Sequence, residues 1–251
     1  MAIAMEIEVI NSYLGKASEE DLYISATLRT FHKTPKTLQK LLTFISDNLK
    51  EGKHRMLDLG CGYGFIAHLI GEILGFENIY GADIDEKRLK VAKERLDEVL
   101  RTNLEDEKLP FPDQHFDIVT SFGVLEHLRF FDNTIKETYR VLKPEGLFVV
   151  SIPNLGDWMN RLRLLIGLQP HTVQISEFYA QSKIDHIHSC TLGTFRDLLK
   201  IYGFKIVKTY GLQAIFRSRK IFELLDRILS KKPSLSIRFI VIAKKEPESV
   251  G

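Results

Sequence analysis

Cysteine is scarce in this chain, with only Cys61 and Cys190 among 251 residues. Two cysteines are too few for a disulfide framework, which excludes a small disulfide-rich fold and favours a reducing compartment. No apolar run approaches the roughly 20 residues of a membrane-spanning helix. The first ten residues carry Glu6 and Glu8 and no basic start, so we expect no secretory signal there. These absences together predict a cytoplasmic protein.

An excess of charge of either sign is also lacking, because 35 Lys and Arg residues face 33 Asp and Glu residues. A balanced chain gives no general reason to expect a polyanion as partner, so we expect no nucleic acid. The length suits one α/β domain with a substantial core.

A glycine-rich stretch organises the rest of the chain. The apolar run that begins at Met56 leads into Asp58–Gly64, which has glycine at positions 60, 62 and 64. From Ile66 onward the apolar residues recur with helical spacing. A strand, a glycine turn and a helix in this order form the first crossover of a doubly wound sheet.

The spacing of the glycines argues against a dinucleotide. A dinucleotide fingerprint has glycine at positions 1, 3 and 6 of the turn, whereas the sixth position here is Phe65. Asp58 places a carboxylate where a pyrophosphate would be repelled and a positive amino group would be attracted. The loop therefore fits S-adenosylmethionine better than NAD.

Four ordered motifs carry a resemblance to a known family. Asp58–Gly64 resembles motif I of the class I S-adenosylmethionine-dependent methyltransferases, and Leu109–Val119 resembles the stretch that leads into their fourth strand. Val124–Leu128 and Val141–Gly146 follow in the family's order. The most similar subgroup is the small-molecule branch with ubiquinone-biosynthesis-like members, also described as methyltransferase type 11. The resemblance covers about residues 56–154 and implies a Rossmann-like sheet of about seven strands with the last strand antiparallel.

Asp83 ends the predicted second strand, residues 78–83, 23 residues beyond Gly60. Its carboxylate could accept hydrogen bonds from two neighbouring ribose hydroxyls. The alternative is that Asp83 caps the next helix, which we predict from Asp85 to about Leu100.

The remaining cofactor contacts are assigned by the resemblance. A short third strand is expected at 100–104, and the adenine amino group would bond to Asn103, with Glu105 or Asp106 as alternative alignments. The fourth strand, 116–121, would present Ser121 and Phe122 beside the methionine part of the cofactor. The full set of expected cofactor contacts is Asp58, Gly60, Cys61, Gly62, Gly64, Asp83, Ile84, Asn103, Leu104, Ser121 and Phe122.

Three histidines are candidates for catalysis. His127 follows the fourth strand and could take a proton from a substrate hydroxyl, or could instead be a structural residue of the loop. His186 and His188 lie in Asp185–His188, whose alternating side chains would share one face of an extended segment. No fourth ligand is nearby in sequence, so we expect polar lining of a substrate cavity and no metal.

The chain divides into four parts. Residues 1–52 form a helical cap, with Thr34 and Pro35 at the start of a helix; residues 53–152 form the cofactor half; 153–190 are a lid insertion; and 191–251 complete the sheet. Asp132 and Thr191 are expected to cap helices, and strands are expected at 147–152, 204–210 and 235–243. The insertion could alternatively form a homodimer interface.

The helix predicted at 219–230 has Lys220, Arg227 and Lys231 on one flank of an apolar arc. It could contact an anionic membrane surface weakly, or simply pack on the sheet. The predicted function is methyl transfer to a small-molecule acceptor. The alternative hypotheses are a nicotinamide oxidoreductase, an RNA or protein methyltransferase, and a non-catalytic S-adenosylmethionine-binding module.

Overall fold

The computed structural model describes residues 31, 35–50, 52–171, 187–212, 228 and 231–246. Within these ranges the chain forms one seven-stranded sheet with helices on both faces. The predicted helix at 219–230 lies almost wholly outside the described residues, as do residues 1–30 of the predicted cap.

The sheet has the order β3-β2-β1-β4-β5-β7-β6. Neighbouring strands from β3 to β5 are parallel, while β7 is antiparallel to both β5 and β6. This arrangement confirms the predicted Rossmann-like fold and its antiparallel last strand. The strands are Arg55–Leu59 (β1), Asn78–Asp83 (β2), Glu98–Arg101 (β3), Phe116–Phe122 (β4), Leu142–Pro153 (β5), Phe204–Leu212 (β6) and Arg238–Lys245 (β7).

In the described part of the chain, six α-helices and two short 3₁₀ turns accompany the strands. The helices are Pro35–Asn48 (α1), Phe65–Leu74 (α2), Glu86–Ala92 (α3), Asp132–Val141 (α4), Trp158–Leu165 (α5) and Leu192–Ile201 (α6). The 3₁₀ turns are Leu125–His127 and Pro233–Leu235. α1 buries one apolar stripe, as its helical spacing predicts, and Tyr210 of β6 donates a hydrogen bond to the Lys40 carbonyl of this helix at 3.1 Å.

The core consists of two apolar clusters, one on each face of the sheet. β1 contributes to both, because alternate residues of a strand point to opposite faces. Met56 belongs to the cluster that includes α1 and α2, and Leu57 to the cluster that includes α4 and α6. The sheet is therefore buried on both sides, and only its strand ends are left to form a ligand site.

The helix after β2 is shorter than predicted. It ends at Ala92 instead of continuing to about Leu100, and β3 occupies 98–101 instead of 100–104. The backbone of Asp97 donates to the Ile79 carbonyl, while its carboxylate accepts from the Ile79 N–H at 2.7 Å. Leu96, which we assigned to the helix, is buried against Gly64 and Gly81 in the turn before β3. Tertiary bonds to β2 therefore override the apolar spacing that predicted a longer helix.

Other boundaries differ by smaller amounts. β5 begins five residues earlier than predicted, β6 extends two residues further, and β7 is shifted by about three residues. Thr191 caps α6 as predicted, by accepting a hydrogen bond from the Thr194 N–H. The predicted cap at Asp132 is wrong: the residue opens α4 without a side-chain cap bond, and its carboxylate accepts from the Tyr202 hydroxyl.

Arg140 of α4 holds the loop that precedes β4. Its guanidinium donates to the carbonyls of Leu109 and Phe111 and to the carboxylates of Asp113 and Glu137, over 2.6–2.9 Å. These bonds give a structural reason for the motif at 109–119.

We expect Arg140→Met to lower the free energy of unfolding by about 2 kcal/mol, because several acceptors in the loop lose a charged donor. Urea unfolding measures this loss. Lys136→Met, an exposed position on the same helix, is the matched control and should change stability by less than about 0.5 kcal/mol. Equal stabilities of the two variants would contradict the structural role of Arg140.

Candidate functional site

The glycine loop lies at the carboxyl edge of the parallel strands. The N–H groups of Gly60 and Cys61 both donate to the Ala82 carbonyl of β2, at 2.7 and 3.0 Å. Gly60 and Gly62 have φ values of +70° and +55°, which side chains rarely adopt. A Cβ at Gly60 would lie 2.3 Å from a methyl carbon of Val124, whereas a Cβ at Gly62 would meet nothing within 4 Å. The backbone at Gly62 is thus open to close approach by a ligand.

Asp83 connects this loop to the end of β2. One carboxylate oxygen accepts the Gly62 N–H at 2.8 Å and the other accepts the Asp85 N–H at 2.9 Å. The helix-cap alternative for Asp83 is wrong, because the side chain of Asp85 caps α3 by accepting from Lys87 and Arg88. Each oxygen of Asp83 retains a second lone pair. The carboxylate is therefore fixed in orientation and can accept two further hydrogen bonds.

Asp58 is the second carboxylate of the site and is buried at the end of β1. It pairs in register with Thr120 of β4, whose hydroxyl donates to it at 2.6 Å. Burial raises the pKa of Asp58 to about 7, the Thr120 bond opposes this shift, and the charge of Asp83 adds to it. A cation bound beside Asp58 would restore its negative charge.

Cys61 lies close enough to Asp58 and Asp83 to be affected by their charges. Burial, followed by the charges of Asp58 and Asp83, raises the pKa of the Cys61 thiol far above its usual range. The side chain is buried, and a Cβ built at Gly81 would come within 2.7 Å of its sulfur. Cys61 is therefore an unreactive thiol that fills space between the loop and β2.

The other predicted cofactor contacts fall around the same edge. Ile84 follows Asp83 directly and is 58% exposed, which offers an apolar surface for a flat ring. Ser121 and Phe122 end β4 and are buried, and Phe122 meets Phe31 edge to face with ring centroids 5.6 Å apart. Gly64 precedes α2 with a left-handed backbone.

Asn103 and Leu104 lie in the turn after β3. The Asn103 side-chain carbonyl accepts from the Glu105 N–H at 3.1 Å, and the Asn103 N–H donates to Glu107 at 2.7 Å. The alternative candidate Glu105 accepts the Arg129 N–H at 2.6 Å. Asn103 keeps one acceptor site free for a ligand, because an amide oxygen has two lone pairs. Its contact with adenine stays a prediction.

Two of the three candidate histidines, His127 and His188, are among the described residues. His127 lies in the 3₁₀ turn after β4, and His186 lies outside the described residues. The His188 ring bonds the Arg129 carbonyl and packs edge to face on Phe131. The N–H groups of Ile187 and His188 donate to the Glu126 carbonyl at 2.9 and 3.2 Å. The end of the insertion is thus attached to the turn that follows β4.

Two polar features of this edge were not predicted. Glu126 is buried and pairs with Arg238 at the start of β7, with nitrogen and oxygen 2.9 Å apart. Asp157 and Asn160 are buried at the start of α5, and Asp157 lies 3.8 Å from the His171 ring. Burial, with Arg163, lowers the pKa of His171. In the sequence, Arg238 could have been noted as a basic residue directly before the apolar run of β7.

The residues at this edge fit S-adenosylmethionine. A buried carboxylate suits an amino group, the fixed Asp83 carboxylate suits a pair of hydroxyls, and the open backbone at Gly62 beside exposed Ile84 suits a nucleoside. Among the described residues, no three His, Cys, Asp or Glu side chains are grouped to hold a metal ion.

The contrast between the two loop glycines gives a testable prediction. Gly60→Ala should lower the free energy of unfolding by about 2 kcal/mol, since a left-handed backbone costs about 1 kcal/mol and the new methyl group clashes with Val124. Gly62→Ala should cost only the backbone term, and Val124→Ala should recover part of the loss in a double variant. Urea unfolding of the wild type, the two glycine variants and the double variant tests this prediction. Equal losses of unfolding free energy in the two glycine variants would contradict the geometry.

Comparison with known families agrees with this site. The fold and the glycine loop define a Rossmann-like α/β protein whose ligand site lies at the carboxyl ends of the strands. Residues 57–150 match the family model described as a methyltransferase domain. A ubiquinone/menaquinone biosynthesis C-methyltransferase (UbiE) of Ectopseudomonas oleovorans is 38% identical over 116 residues, covering 43% of this chain and 68% of that protein. The chain belongs to the S-adenosylmethionine-dependent methyltransferase family, whose cofactor is S-adenosylmethionine.

Two further curated relatives differ in their described activities. A probable S-adenosylmethionine-dependent methyltransferase of Mycolicibacterium smegmatis is 36% identical over 157 residues, 62% of this chain and 54% of that protein. The mitochondrial arginine-hydroxylase NDUFAF5 of Rattus norvegicus is 34% identical over 141 residues, 52% of this chain and 39% of that protein. The matches to these relatives span about half of their length or less.

Solved structures repeat the fold. A putative methyltransferase in a complex with the Haloferax volcanii Trm112 methyltransferase activator superposes with a TM-score of 0.60 at 16% identity, over 83% of this chain and 90% of that one. No helix in the described part of the chain is long and apolar enough to cross a membrane.

Proposed function

We propose that this protein transfers a methyl group from S-adenosylmethionine to a small-molecule acceptor by direct in-line displacement. The observation that carries the proposal is the pair of carboxylates beside the glycine loop. Asp58 is buried with a pKa of about 7, and Asp83 is fixed by the N–H groups of Gly62 and Asp85. Asp58 disfavours the phosphates of a dinucleotide and favours a cationic ligand, while Asp83 suits the ribose hydroxyls of a nucleoside.

The residues have separate roles in this proposal. Asp58 holds the ammonium group of the methionine part, Asp83 accepts hydrogen bonds from the ribose hydroxyls, and Ile84 covers the adenine. The sulfonium supplies an already electrophilic methyl group, so the chain mainly orients the acceptor and excludes water. His127 is the proposed acceptor of a proton, because it follows β4 at the edge where the loop lies.

We place the choice of acceptor in residues 153–190 and in the N-terminal cap. The support is that the insertion leaves β5 at the carboxyl edge and returns to it, through a parallel bridge of Asn154 with Cys190 and the bonds of residues 187 and 188 to Glu126. An insertion attached at both ends beside the site suits a lid. If residues 153–190 are a lid, His186→Ala with His188→Ala should reduce transfer while cofactor affinity stays within about threefold. Unchanged transfer with a change from dimer to monomer would favour an assembly surface.

Transfer of labelled methyl groups tests the function. The protein is incubated with methyl-labelled S-adenosylmethionine and, separately, with low-molecular-mass, protein and RNA fractions of a cell extract. We expect label in the low-molecular-mass fraction and its loss with Asp83→Ala. Label only in RNA or in protein would contradict the small-molecule acceptor, and no transfer to any fraction despite cofactor binding would favour a binding module.

A further inference from the structure

The end of α5 exposes an unusual amount of aliphatic surface. Five large side chains within seven residues are 47–81% exposed: Leu162, Leu164, Leu165, Ile166 and Leu168, here called the 162–168 patch. At the start of the same helix the buried residues are Trp158 and the polar Asn160. A helix that buries an amide and exposes leucines departs from the usual pattern of a surface helix, whose apolar residues face the core. Large aliphatic side chains exposed this close together in the chain indicate an interaction surface.

Basic residues border the patch and acidic ones are missing from it. Arg161 of α5 donates to the carbonyls of Gly156 and Ser234, which places the segment with Lys231 and Lys232 beside the helix. Both lysines are exposed. Residues 158–171 and 228–238 contain no Asp or Glu at all. The surface therefore combines aliphatic side chains with positive charge.

The combination of aliphatic and basic residues distinguishes between two candidate partners, a second copy of this chain and an anionic phospholipid surface. A second copy bound through the same patch would add a second set of basic residues to the interface without an acidic residue from either patch to pair with them, because a twofold interface uses the same surface of both copies. An anionic phospholipid surface satisfies both features, since aliphatic side chains enter the acyl boundary while Lys and Arg stay at the headgroups.

We propose that the 162–168 patch, with Arg161, Lys231 and Lys232, binds the surface of anionic phospholipid membranes. α5 begins five residues beyond β5, so the membrane would lie near the carboxyl edge that holds the glycine loop. Bound in this way, the protein would receive apolar acceptors from the lipid phase. The binding itself does not depend on the proposed methyl transfer.

Vesicle co-sedimentation of the full chain tests the proposal. Vesicles of equal phosphatidylcholine and phosphatidylglycerol are compared with pure phosphatidylcholine vesicles. We expect binding mainly to the anionic vesicles and a loss of at least about tenfold in partitioning for Leu165→Ser with Ile166→Ser. Lys231→Ala with Lys232→Ala should lose about tenfold on anionic vesicles only.

Ile201→Ser is the matched control, since Ile201 is 78% exposed at the end of α6, outside the patch, and should leave partitioning unchanged. Wild-type protein that does not bind anionic vesicles, or a patch variant that binds like the wild type, would overturn the proposal. If the wild type does not bind vesicles but forms a dimer, and the patch variant is a monomer, the patch is the contact surface for a second copy. If the wild type does not bind vesicles and the patch variant has a much lower thermal unfolding midpoint, the patch packs against another segment of this chain.

Discussion

Replacement of Asp58 by Asn should weaken S-adenosylmethionine binding by roughly 30- to 100-fold at pH 8, because a charge-assisted contact with the ammonium group is lost. The wild-type affinity should itself depend on pH. Below a pKa of about 7 the Asp58 carboxyl is protonated in the free protein, so we expect about tenfold weaker binding at pH 6 than at pH 8. The Asn variant should lack that part of the pH dependence.

The same substitution should stabilise the free protein. The unfolded chain has an Asp pKa near 3.9, against about 7 in the fold, so the folded state binds more protons between these values. The contribution of Asp58 to the free energy of unfolding therefore falls as pH rises through this window, by about 2–3 kcal/mol between pH 5 and pH 8. The gap in stability between variant and wild type should widen by that amount, as urea unfolding at both pH values would show.

Asp117→Asn is the matched control for Asp58. Asp117 also lies in the parallel sheet, near the opposite edge, where it accepts from the Arg55 N–H and from Lys143. Its loss should leave cofactor affinity and the pH dependence of binding unchanged. Equal effects at Asp58 and Asp117 would show that general charge, and not the site, controls binding.

Asp83→Ala should lower cofactor affinity by about 2–3 kcal/mol, or roughly 30- to 150-fold, because two hydroxyls lose a charged acceptor and the Gly62 N–H loses its partner. Calorimetric titration with S-adenosylhomocysteine measures the change, and the product removes the sulfonium charge from the comparison. Circular dichroism checks that the variant is folded.

Asp85→Ala provides the contrast for Asp83. Asp85 lies two residues further on and caps α3, so its loss should cost about 1 kcal/mol of stability. Cofactor affinity should stay within about threefold of the wild type, since among the described residues the Asp85 side chain bonds to the helix that it caps. Wild-type affinity in folded Asp83→Ala would contradict the ribose contact.

The parallel half of the sheet was predictable because its elements are long and strongly patterned. The apolar run into the glycine turn and the helical spacing after it locate β1 and α2, and the motif order locates β4 and β5. Asp58 was identified from its position just before the turn, and Asp83 from its position at the end of the predicted second strand. The bond between Asp58 and Thr120 was not, because it depends on the register of β1 against β4.

The prediction failed where tertiary contacts decide the local structure. β3 has four residues, and α3 is set by the Asp85 cap and by the return of Asp97 to β2, which helical spacing does not reveal. The Glu126–Arg238 pair joins residues 112 positions apart in the chain, so no local pattern indicates it. The exposure of Leu165 could not be predicted either, because leucines of a helix ordinarily face the core.

Calorimetric titration of the wild-type protein at pH 8 tests the central claim most directly. S-adenosylmethionine and S-adenosylhomocysteine are compared with NAD and NADP under identical conditions. Because Asp58 would repel a pyrophosphate and attract an ammonium group, we expect micromolar or tighter binding of the first two and no measurable binding of the dinucleotides. Binding of NAD or NADP that equals or exceeds that of S-adenosylmethionine would contradict the assignment of this site.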